Sequence, residues 1–135
     1  MKNVFQTIVA IIGSWLTYLF GGWSALLGIL LAFVAIDYIT GFLAAGCQGK
    51  LSSAVGMRGI AKKISIFVLV AIAHLVDTAM GNANLIRDAA IYFYLANELL
   101  SITENVGVLG VPIPGVILKA IEILRGKSDH PENGV

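Results

Sequence analysis

Asp37, Asp77 and Glu98 fall inside long apolar runs of a 135-residue chain, and Glu104 sits near the end of one. An ionised side chain at the centre of a membrane helix costs about 2.5–3.5 kcal/mol. Such groups therefore face a bundle interior, pair with an opposite charge, or line water. Helical spacing collects them onto stripes. Lys63, Phe67, Val70, His74 and Asp77 recur at intervals of 4, 3, 4 and 3. Arg87, Tyr94, Glu98, Ser101 and Asn105 share one face further on, with Asn97 and Glu104 beside it. Asp37, Thr40, Gly41 and Ala44 form a third such face. Two arrangements satisfy these stripes. In the first they are interhelical pairing groups, with Lys62, Lys63 or Arg87 meeting a carboxylate and Ser, Thr and Asn hydrogen-bonding between helices. In the second they line an aqueous path through one subunit or an oligomer.

Other chemistry is absent from the pattern. Cys47 is the only cysteine, so it forms no internal disulfide and belongs to no cysteine-rich metal site. His74 and His130 are the only histidines, and no GxSxG, HExxH, CxxC or Walker-type string occurs. The sequence points to no enzyme, cofactor or metal. A net charge of +1 gives no reason to expect a nucleic-acid partner.

The elements that position these residues follow from composition. The chain is 58% hydrophobic and 13% charged, with mean hydropathy +0.88. A soluble domain carries about 25% charged residues, and a disordered chain is rich in charge and poor in apolar residues. The reading is an all-α integral membrane protein, a single membrane domain over 1–135. From Asn3 to Ile36 no side chain is charged. One span needs about 20 residues, so this stretch accommodates two short helices, about 4–20 and 24–46, broken at Phe20-Gly21-Gly22-Trp23. Trp15, Tyr18 and Trp23 gather at that break as an interfacial aromatic belt does. Lys2 is followed by no small-x-small cleavage site, so the first segment is expected to remain attached. Gln6, Ala10, Gly13, Thr17 and Gly21 give it a small and polar stripe.

Residues 47–63 read as a basic loop with Lys50, Arg58, Lys62 and Lys63 and no acidic residue. Further helices are expected at about 64–80 and 85–104, separated by Gly81-Asn82-Ala83-Asn84. Gly110, Pro112 and Pro114 make a structural turn. An amphipathic helix at about 114–125 follows, with Ile117, Ala120, Ile121 and Leu124 as its apolar face, lying on the membrane surface. Residues 126–135 form a polar tail. Ser24, Gly28 and Ala32, spaced by four, make a helix-packing ridge opposite Asp37.

The expected architecture is thus a bundle of 3–4 transmembrane helices plus the short amphipathic helix, assembled as an oligomer. With four spans, eight of the nine basic residues share one side and Arg87 alone lies opposite. By the positive-inside rule both termini are then cytoplasmic. With three spans the split is seven to two, and charge does not choose between them.

These residues carry a family resemblance. Asp37-Tyr38-Ile39-Thr40-Gly41 ends an early span. Ser52-Ser53, Gly56, Gly59 and Lys62-Lys63 occupy the basic loop. Leu85-Ile86-Arg87, the run from Asn97 to Asn105 with its E-x-x-S-x-x-E-N string, and Gly110-Val111-Pro112-Ile113-Pro114 follow in order. Over most of its length the chain resembles the phage lysis and toxin-secretion holins of bacteria and their phages. The resemblance implies a non-enzymatic protein that oligomerises in the bacterial cytoplasmic membrane. It would open a lesion that releases an endolysin or toxin and so time host lysis. Its partners would be itself, the lipid bilayer and an antiholin, with endolysin as passing cargo. Two rival readings carry different expectations. A small four-span proton-coupled transporter would place one dominant acid in its first helix, where this chain has none. An antiholin, which only binds other membrane subunits, needs the same packing surfaces as a holin.

Overall fold

A computed structural model describes residues 1–130, and every regular element among them is an α-helix. In order these are α1 (Lys2–Phe20), α2 (Ala25–Cys47), α3 (Ser53–Met80), α4 (Leu85–Val108) and α5 (Gly115–Asp129). The helices α1, α2 and α3 are long and apolar enough to cross a membrane. The fold is that of a helical membrane protein.

Local chemistry fixes the boundaries. The Ser24 hydroxyl accepts from the Leu27 amide at 3.1 Å and starts α2, and Ser52 does the same for Val55 at 3.2 Å at the start of α3. Gly21 and Gly81 close α1 and α3 in the left-handed conformation, with φ of 75° and 74°. The start of α3 corrects the sequence expectation. Only residues 48–52 form a loop, and Arg58, Lys62 and Lys63 sit on the first three turns of α3. The low hydropathy there reflects charge and glycine, neither of which stops a helix once Ser52 caps it. At 28 residues α3 is about 42 Å long. That exceeds the roughly 30 Å hydrocarbon thickness by about eight residues, enough for the first two turns, with Arg58, to extend beyond it. The tail also differs from expectation, because 126–129 continue α5. The rest of the expected tail, 131–135, lies outside the described residues.

Helix α4 is central and packs against α2, α3 and α5, whereas α2 and α3 barely touch. The core stripes are Leu27, Leu30 and Val34 on α2, Ile66 and Val70 on α3, and Ile91 and Leu95 on α4. Each continues at helical spacing into a charged residue, namely Asp37, Asp77 and Glu98. Helix α5 does not stand apart from the bundle. It folds back antiparallel on α4, with Ile121 buried, Leu124 against the core and the Lys127 ammonium 5.2 Å from the Tyr92 ring centroid. Its apolar face is the expected one, but α4 covers it where lipid was expected.

Helix α1 packs mainly on α3, and none of its residues is buried. Its hydroxyls are satisfied within the helix. Thr7, Ser14 and Thr17 each donate to the carbonyl four residues back. Its far end is held by Arg87 Nη1, which donates to the Phe20 carbonyl at 2.9 Å. Gly21 makes that approach possible, because a Cβ there would lie 2.6 Å from His74 Cε1. Gly21→Ala is expected to lower stability by at least about 1–2 kcal/mol, from the left-handed backbone alone. Gly13→Ala, in open space within the helix, should be neutral or stabilising by up to about 1 kcal/mol. Thermal unfolding of the two variants in detergent checks the contrast.

Candidate functional site: a charged centre within the bundle

The stripes of α2, α3 and α4 converge on one ammonium group. Lys63 donates to a carboxylate oxygen of Asp37 and, at 2.6 Å, to Glu98 Oε2. Both carboxylates are buried. Asn105, two turns beyond Glu98 on α4, completes the cluster. Its Nδ2 reaches Asp37 Oδ1 at 2.9 Å, the Asp37 carbonyl at 3.2 Å and Thr40 Oγ1 at 3.0 Å. The amide lies against Gly41, where a Cβ would stand 3.4 Å from that nitrogen, about ordinary contact distance. One lysine thus serves two acids from two different helices, and an amide locks the first acid from the side.

A cleft of about 710 Å³ opens onto this centre because α2 and α3 diverge. Asp37, Lys63, Ser101 and Asn105 line it together with Phe42, Leu51 and Ile60, and Lys50, Ser52 and Ser53 line it at the loop. Tyr38 also lines it, against the Gly56 and Gly59 side of α3, where a Cβ would meet its ring or hydroxyl at 3.7 and 3.5 Å.

A second polar cluster lies at the opposite end of the bundle. Asp77 is 1% exposed, and its two oxygens accept from the Ile86 and Arg87 amides at 2.9 and 2.8 Å. It therefore caps α4 from α3. His74 Nδ1 lies 3.0 Å from Asn84 Oδ1 in the same turn. Arg87 is buried, but its carboxylate partner is the adjacent Asp88, at 2.9 Å. Sequence reasoning missed Asp88, Asn84 and the Phe20 carbonyl. Spacing on one helix cannot reveal a partner on a turn or a backbone oxygen.

The remaining residues of the expected set stand apart. Asn97 and Glu104 are exposed on α4. The Ser24–Gly28–Ala32 ridge is divided among three local roles. Ser24 is the cap of α2, Gly28 lies under the Trp23 ring, and Ala32 is exposed. Gly110, with φ 85°, and the extended Pro114 shape the α4–α5 turn. No buried side-chain nitrogen or oxygen among the described residues lacks a hydrogen-bond partner.

The sequence profile of the bacteriophage holin family matches residues 14–126, most of the chain. The chain belongs to this family. Relatives bear the family assignment out. A "probable holin" of Bacillus phage phi105 is 37% identical over 113 residues, covering 84% of this chain and 83% of that protein. An uncharacterized protein of Listeria monocytogenes is 50% identical over 115 residues, with 85% and 82% covered. Another, from Halalkalibacterium halodurans, is 44% identical over 131 residues, with 93% and 97% covered. No solved structure matches the chain. For a holin-family protein the charged centre has a plain physical role. It joins Asp37 of α2 and Glu98 of α4 through Lys63 of α3 and so ties three helices together.

Proposed function

We propose that this holin-family protein is a non-enzymatic pore former of the bacterial cytoplasmic membrane. It accumulates there as closed subunits, associates with copies of itself, and opens a lesion through which endolysin or a toxin passes. The observation that carries the reading is the self-sufficiency of one subunit. Lys63, Asp37, Glu98, Thr40 and Asn105 satisfy one another internally, as do Asp77, Arg87, His74 and their turn partners. A bundle closed in this way presents none of the charges of its centre to lipid. Assembly then requires only its outer surface, where Asn97 and Glu104 offer the polar groups and the Ser24–Gly28–Ala32 ridge offers close approach. Above a critical density the oligomeric state displaces the closed one.

Helix α4, which packs against both α2 and α3, is taken as the fourth span. The N-terminus and the 48–52 loop are then cytoplasmic, with Lys2, Lys50, Arg58 and Lys62 on that side. Expression in a bacterium with and without an endolysin tests the function. Abrupt loss of membrane potential without endolysin, and lysis with it, is the expected result. Slow growth without depolarisation would assign the chain to the antiholins, and substrate-dependent proton flux without leakage of large dyes would assign it to the transporters. For the topology, a cysteine replacing Asn3 should label only from inside, and one replacing Ala83 only from outside. Labelling of both from outside would refute four spans.

A further inference from the structure

Helix α5 carries a charged face that no other described residue covers. Its docked side is Ile117, Ala120, Ile121 and Leu124, with Ile121 4% exposed. Lys119, Glu122, Arg125 and Asp129 follow one another at intervals of 3, 3 and 4 and are all exposed. At about 100° per residue they fall within an arc of about 120°, with Leu118 among them. On the third side Val116 is 73% and Ile123 60% exposed. The helix therefore has one face for α4, one for water and one for an apolar neighbour.

Depth makes the charged arc informative. Helix α5 runs back along α4 until Lys127 reaches Tyr92, six residues before Glu98. It thus passes the level of the charged centre, and its arc extends from the α4–α5 turn to beyond the middle of the bundle. Charges at that depth do not face hydrocarbon. They face protein or a water-filled space.

We propose that α5 lines the lumen of the assembled oligomer, with Lys119, Glu122, Arg125 and Asp129 toward the water. This rests on the pore-forming reading and names the element that borders the pore. The signs alternate along the arc, so each subunit brings two positive and two negative groups and no net charge to the lumen. Such a lumen discriminates little between cations and anions, which suits the passage of a folded protein.

The test uses the full-length protein in planar lipid bilayers, in a Cys47→Ser background that removes the only native thiol. Lys119→Cys, Glu122→Cys and Arg125→Cys should react with a membrane-impermeant, charged methanethiosulfonate and change the conductance. Val116→Cys and Ile123→Cys should not react. Glu122→Lys should shift the ratio of cation to anion permeability several-fold toward anions. Equal reactivity all around α5 would overturn the inference by showing the helix undocked in water. An unreactive arc with unchanged selectivity would overturn it by showing the arc sealed against a neighbouring subunit. In both cases the wild type still conducts. A wild type that never conducts refutes the pore reading itself.

Discussion

Lys63→Met is expected to remove most of the folded protein from the membrane. The substitution leaves Asp37 and Glu98 buried with no cation between them. Removing one partner of a buried ion pair costs about 3–5 kcal/mol, against a total stability of about 5–15 kcal/mol for a typical domain. Here the lost lysine serves two acids, which places the effect at the upper end. Neutralising the acids as well should reverse most of it. In Lys63→Met with Asp37→Asn and Glu98→Gln the Asn105 amide still finds an oxygen on residue 37, and no charge is stranded. Yield in the membrane fraction and the unfolding midpoint in detergent measure both variants. A single variant as stable as the wild type would show that the centre is hydrated through the cleft.

Asp77→Ala should be nearly as damaging for a different reason. It removes the two acceptors for the Ile86 and Arg87 amides, and each buried amide left unsatisfied costs about 1–3 kcal/mol. The expected loss is about 2–5 kcal/mol, concentrated at the start of α4. Asp77→Asn retains one acceptor oxygen and should fall between. Hydrogen exchange of the first turn of α4 locates the effect, and unchanged protection there in Asp77→Ala would count against the cap.

The bundle was legible in the sequence where one helix faces another. Asp37, Lys63 and Glu98 lie on the stripes that helical spacing assigns to them, because the apolar core residues share that spacing and bring the charges along. What stayed hidden depends on the ends of helices. Asp77 sits on the core stripe of α3, yet it acts on the backbone of α4, and periodicity carries no information about backbone amides. The start of α3 was hidden for a related reason. Hydropathy records which residues suit lipid, while the Ser52 cap decides where the helix begins, and the two points differ by eleven residues. Helix α5 shows a third limit. Its apolar face could be read from the spacing of Ile117, Ala120, Ile121 and Leu124, but amphipathicity identifies a face and not what covers it.

The sparse attachment of α1 has a consequence for how this chain tolerates change. No residue of α1 is buried, and the first buried side chain is that of Leu27. The region matched by the holin family begins at residue 14, in the last two turns of α1, where the Phe20 carbonyl and Gly21 meet Arg87 and His74. The family match and the first tertiary contacts of the helix end therefore fall close together. Residues 2–13 bury no side chain, so another apolar helix of similar length that ends in a glycine is expected to replace them with little loss of stability.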